Sequence, residues 1–139
     1  MARLFYLFFL VLLAACSFSS SEHKNEQYYI SVEGRDTTKL KLTIINEHFY
    51  GEYIHTRGGS QREKGQFSGK VQGDILLGDN LYTPYRWKEK KRVPIALKLQ
   101  GENLLEGSGK MIEFMGILSY HPRTIDFHSP KRVFKLSKG

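Results

Sequence analysis

The stretch "VQGDILLG", Val71 to Gly78, ends one apolar run, turns on Gly73 and Asp74, and starts another at once. The same form recurs in "LQGENLLEG" (99–107) and, shorter, in "VEGRD" (32–36). Glycine adopts positive φ without steric cost, and Asp, Asn and Glu sit readily beside it, so each stretch predicts a tight hairpin turn. "INEHF" (45–49) and "RGGSQ" (57–61) supply two further turns. Gly34, Gly73 and Gly101 are unevenly spaced, which makes this a run of hairpins rather than a solenoid of fixed repeats.

Between the turns the residues alternate with period two. Leu40, Leu42 and Ile44 share one face against Lys39, Lys41 and Thr43, and Ile95, Leu97 and Leu99 oppose Ala96, Lys98 and Gln100. Tyr28, Ile30 and Val32 form a third such face, and Phe67, Gly69 and Val71 a fourth, while Phe134 and Leu136 alternate with Val133 and Lys135. About eight strands result: 28–33, 39–45, 49–56, 63–71, 75–83, 93–100, 104–112 and 131–137. The fold class is all-β, an antiparallel meander. Closing it into a small up-and-down barrel hides the sheet edges, with a two-sheet β-sandwich as the alternative. Gly51, Gly69, Gly78 and Gly109 inside the strands suit bends where a small sheet curves sharply. Residues 116–132, broken by Pro122 and Pro130, read as an irregular segment that wraps the barrel or closes one mouth.

The N-terminus has the layout of an export signal: Arg3, an apolar block from Leu4 to Leu13, then Ala14 and Ala15. A membrane-spanning helix needs roughly 20 apolar residues, so this block is too short to be one. Cys16 follows directly and is the single cysteine of the chain. The tetrad Leu13-Ala14-Ala15-Cys16 resembles the lipobox of bacterial lipoproteins. That resemblance implies cleavage before Cys16, a diacylglyceryl group on its thiol and acylation of the new amine. Two or three acyl chains make a lasting membrane anchor where one alone is marginal. Ser17 in place of an aspartate favours the outer membrane of a Gram-negative envelope under the sorting logic of enteric lipoproteins. The expected organisation is a signal peptide at 1–15, lipidated Cys16 with a flexible tether through 27, and one β-domain at 28–139.

The chain from Cys16 onward carries 20 Lys and Arg against 14 Asp and Glu, a formal charge of +6. On an exported protein a basic balance fits acidic envelope neighbours rather than nucleic acid. The segment "YTPYRWKEKKRVP" (82–94) concentrates this character between Pro84 and Pro94. Tyr85, Arg86, Trp87, Lys88, Lys90, Lys91 and Arg92 are the candidate contacts with an anionic surface, rings lying at the interface and cations meeting phosphates. Because proline cannot donate to a central ladder, the segment reads as a loop or an edge hairpin.

Templates for chemistry are missing. Ser108 lacks the glycine two positions before it that a nucleophile elbow requires, and Gly109-Lys110 lacks the upstream glycine of a P-loop. Histidines at 23, 48, 55, 121 and 128 are scattered, although His121, Asp126 and His128 share one segment. No enzyme, cofactor or metal site is expected. The pattern G-x-V-x-G-D-x-L from Gly69 to Leu76 resembles one found in small bacterial envelope lipoproteins, and the meander is similar to calycin-type barrels, which bind small apolar ligands. Two functions follow as expectations. The first is a non-catalytic envelope module that contacts an acidic component or a protein partner. The second is a carrier of a small apolar ligand, which needs a hollow interior rather than one filled by Leu40, Leu42, Ile44, Phe67, Leu97 and Phe134.

Overall fold

A computed structural model describes residues 25–138. The signal peptide, Cys16 and the tether before Asn25 lie outside the described residues. Ten strands follow in chain order: β1 (Glu26–Glu33), β2 (Asp36–Ile45), β3 (His48–Arg57), β4 (Gln61–Gln72), β5 (Ile75–Thr83), β6 (Lys91–Gln100), β7 (Asn103–Glu106), β8 (Met111–Phe114), β9 (Ile117–Tyr120) and β10 (Arg132–Ser137). Eight of them close into an antiparallel barrel in the order β1-β10-β7-β6-β5-β4-β3-β2, and β8 pairs with β9 alone. The up-and-down barrel is therefore the fold, and Gly34, Gly73 and Gly101 turn at φ of about 60° as the hairpin reading requires.

Two expected strands differ. The strand expected at 104–112 stops at Glu106, and residues 111–120, half of them expected to be irregular, form the β8–β9 hairpin. On β1 the inward residues are Tyr29 and Ser31, while Tyr28 and Val32 are exposed, so the apolar face Tyr28-Ile30-Val32 points outward. The ring of Tyr29 fills the interior, and tyrosine at both 28 and 29 hides the register from a pattern of apolar residues.

The interior closes tightly because aromatic residues face glycines across β3, β4 and β5. Phe49 pairs with Gly69 and Gly69 with Gly78; Gly51 pairs with Phe67; Tyr53 pairs with Gly65 and Gly65 with Tyr82. The Phe67 and Tyr53 rings occupy the space that a side chain on Gly51 or Gly65 would need, while Gly69 and Gly78 meet backbone to backbone, an arrangement that lets a small sheet curve strongly. Phe49, Phe67, Leu42, Leu76, Leu97, Leu104 and Phe134 are all under 2 % exposed or close to it, and Ile44, Val71 and Leu99 pack against them.

The barrel has two distinct ends. Asn25 and the β2–β3, β4–β5 and β6–β7 turns lie at one, here termed the tether end. The β1–β2 and β3–β4 turns, the loop 84–90 and the connector 107–131 lie at the other, the mouth end.

Candidate functional site

At the mouth end the inward-facing residues change from apolar to polar. Thr38, Tyr53, His55, Asn80, Glu106 and Arg132 are carried there by five different strands. All of them but Thr38 line a cavity of about 260 Å³ whose floor is Leu40, Ile95, Leu97 and Phe134. The interior is thus filled at the tether end and hollow at the mouth end.

The wall is incomplete on one side. β7 is four residues long and pairs with β6 only from Leu97 onward, so residues 91–95 of β6 have no strand on that edge. This explains Pro94, which is buried within β6 opposite Asp79 instead of bracketing a loop. A missing N–H costs nothing where no partner strand runs. The β8–β9 hairpin packs beside β6, and its Met111 and Tyr120 contribute to the cavity lining.

Some of the charges in the mouth are paired, while Arg57 also lines the cavity. Arg132 Nη1 donates to Glu106 Oε2 at 3.2 Å, and Lys131 Nζ lies 3.9 Å from Glu106 Oε1. Glu63 Oε1 accepts the Tyr85 N–H at 3.1 Å. His55 Nδ1 hydrogen-bonds with Thr38 Oγ1 at 2.8 Å, and burial, reinforced by the Arg132 charge, lowers its pKa below the ordinary imidazole value. Burial pushes the Tyr53 phenol up to about 12, and that of Tyr120 is raised by the same cause with Glu106 adding to it. Asn80 Oδ1 is buried and has no hydrogen-bond partner among the described residues. The Asn80 side chain is nevertheless engaged, through a hydrogen bond with the Tyr53 phenol that partly offsets the effect of burial there.

The seven residues expected to contact an anionic surface divide into two groups. Tyr85, Arg86, Trp87, Lys88 and Lys90 lie on the 84–90 loop at the mouth end, with Trp87 63 % exposed. Trp87 N–H bonds back to the Pro84 carbonyl at 3.0 Å, and Arg86, at φ 66°, lays its guanidinium 5.2 Å from the Tyr85 ring centroid. Lys91 and Arg92 instead begin β6, opposite Tyr82 and Leu81. Arg92 is not a free cation, since it forms an ion pair with Asp79.

Asp126 and His128 come together: the His128 backbone N–H donates to Asp126 Oδ1 at 3.0 Å and the ring Nδ1 lies 2.8 Å from the same oxygen, and these contacts, the backbone one first, hold the Asp126 carboxyl below its usual range. His121 N–H bonds to the Lys110 carbonyl instead. Among the described residues no group of three or more His, Cys, Asp or Glu lies together.

The polar mouth went unseen in the sequence. Tyr53, His55 and Arg57 do share one face of β3, but Glu52 and Thr56 make the other face polar as well, so alternation does not say which side is inside. Comparison of the chain with models of known protein families, with curated proteins and with solved structures finds no match.

Proposed function

We propose that this chain is a lipid-anchored protein of the cell envelope, non-catalytic, whose barrel binds an acidic envelope component or partner protein with its mouth end. The observation that carries this reading is the placement of the exposed Trp87 and its flanking cations at the barrel end opposite Asn25. Cys16 precedes β1 by ten residues, a tether of about 35 Å when extended. That length matches a ten-residue strand at roughly 3.3 Å per residue, so an anchored barrel can hold its mouth end well clear of the lipid that anchors it. The filled tether half supports a module that works through its surface and mouth over a carrier of an apolar chain.

The test uses the unlipidated Cys16→Ala chain with anionic and neutral vesicles as model surfaces. Sedimentation with anionic vesicles should weaken as salt rises and fall further when Arg86, Lys88, Lys90 and Lys91 become Ser. Arg92 is left in place because Asp79 holds it. Equal sedimentation of the Ser variant would remove the electrostatic part of the reading.

A further inference from the structure

We propose that the tip of the β8–β9 hairpin enters the apolar layer of an anionic lipid bilayer, with Phe114, Met115 and Ile117 as the residues that insert. The pairing of the two strands sets Met111 opposite Tyr120 and Phe114 opposite Ile117. Side chains alternate between faces along a strand, so Ile112, Phe114 and Ile117 share the face opposite the one that carries Met111 and Tyr120 to the mouth cavity. The solvent face of an antiparallel pair is ordinarily polar. Here Ile112 and Ile117 are exposed, and exposure is highest at the turn, 73 % for Phe114 and 86 % for Met115. These two are the most exposed large apolar side chains among the described residues. Apolar residues scattered singly over a surface are ordinary, but a contiguous group on a projecting tip is not.

The backbone adds a second observation. Met115 stands at φ 50°, in the left-handed region that glycine and asparagine adopt more easily. Its side chain packs on little, so the fold gains nothing from methionine at that position, and residues held this way cluster where they meet a ligand. What covers the tip follows from its surroundings and its size. The 84–90 loop, at the same end of the barrel, exposes Trp87 and the cations Arg86, Lys88 and Lys90. An apolar tip beside an exposed aromatic and cations suits an anionic bilayer, whose acyl chains meet the tip while its headgroup phosphates meet the cations. Four part-exposed side chains present on the order of 400 Å², well short of the roughly 800 Å² per partner of a stable protein interface, whereas a fluid bilayer needs no matching surface. Insertion of the tip rests on the reading of the mouth end as the binding end, and it names an anionic lipid surface as the partner.

The experiment places one environment-sensitive fluorophore at position 115, through Met115→Cys in the Cys16→Ala chain, which has no other cysteine. A second chain, Asp74→Cys, carries the same label on the β4–β5 turn at the tether end. The vesicles are phosphatidylglycerol with phosphatidylcholine, or phosphatidylcholine alone, with a nitroxide quencher on the acyl chains. The expected result is a blue shift and quenching of the label at 115 on anionic vesicles, and neither at 74. In the unlabelled chain, serine at Phe114, Met115 and Ile117 should weaken sedimentation with anionic vesicles about tenfold through lost apolar burial, with the circular dichroism of the barrel and the salt dependence unchanged. A label at 115 that stays in water on bound vesicles overturns the proposal, even if the serine variant misfolds. So does equal sedimentation of the folded hairpin variant, or a label buried without vesicles as protein concentration rises, which would make a second copy the cover. Insertion at 115 that survives serine at Arg86, Lys88, Lys90 and Lys91 supports the hairpin and removes only the electrostatic part of the loop's contact, so the two readings fail separately.

Discussion

Tyr53 and Tyr82 face each other across Gly65, their ring centroids 6.3 Å apart, and the glycine is what lets them meet. A Cβ on Gly65 would collide with Tyr53 Cε1 and stand 2.8 Å from Tyr82 Cβ and 2.9 Å from Asn80 Oδ1. Gly65→Ala should therefore lower stability by about 1–3 kcal/mol, the usual range for overpacking a tight interior. The urea midpoint reads this directly. An unchanged midpoint would mean the rings are not packed over the glycine.

Protonation at the mouth sets a window of stability. His55 has its folded pKa lowered from 6.5, so the native state favours the neutral ring. That contribution is complete above about 6.5 and is lost as pH falls from there through the folded pKa. Tyr53 is raised from 10.0 to about 12, so its contribution is complete below about 10 and is lost as pH rises through 12. Unfolding free energy should form a plateau between these limits. His55→Gln should flatten the acid side relative to the parent chain, and an equally steep acid limb in that variant would place the titrating group elsewhere.

Burial in the apolar core predicts a different scale of loss. Phe134, at the floor of the mouth cavity, is 1 % exposed, and Phe67, in the filled part of the interior, 2 %. Phe134→Ala should cost about 3–5 kcal/mol through lost transfer energy and the cavity left behind. A domain of this size is stable by roughly 5–15 kcal/mol in all, so the variant should be close to unfolding at room temperature. Calorimetry or circular dichroism checks it. A loss below about 1 kcal/mol would show that the interior collapses freely around the site.

Much of the barrel was legible because its turns carry glycine where positive φ is needed and its strands alternate cleanly, as Leu40-Leu42-Ile44 and Ile95-Leu97-Leu99 do. The connector was not, for a local reason. The β8–β9 turn places Met115 at φ 50° and Gly116 at φ 76°, both in the left-handed region. Two-residue hairpin turns of that kind are signalled by Asn-Gly or Asp-Gly, and Met-Gly gives only half the signal. The cationic loop ends before Pro94 for a tertiary reason: Pro94 is tolerated in β6 because β7 ends at Glu106, a fact of pairing that local sequence does not contain. The mouth was hidden because its polar residues arise singly on five strands and converge only once the barrel closes.

That same turn offers a stabilising change. Methionine in the left-handed region costs about 1–2 kcal/mol, and asparagine is among the few residues that visit it routinely. Met115 is 86 % exposed, so its side chain contributes little packing to offset the strain. Met115→Asn should slow amide hydrogen exchange across β8 and β9 severalfold while leaving the barrel strands unchanged. Faster exchange in the hairpin would show that Met115 makes contacts worth more than the backbone strain.

The anchor makes the most separable prediction. With Leu13-Ala14-Ala15 before it and Ser17 after it, Cys16 should take up labelled palmitate when the chain is expressed in a Gram-negative host, and the protein should pellet with membranes. Cys16→Ala removes the thiol and every site for thioether lipid, since the chain has no other cysteine. Label should then vanish and the domain should move to the soluble fraction, because a hydrophobic block shorter than roughly 20 residues does not hold a protein across a bilayer. The barrel itself begins at Glu26, so its thermal unfolding should be unaffected. Palmitate label persisting in Cys16→Ala, or membrane pelleting that survives alkaline carbonate washing, would show that something other than Cys16 tethers the chain.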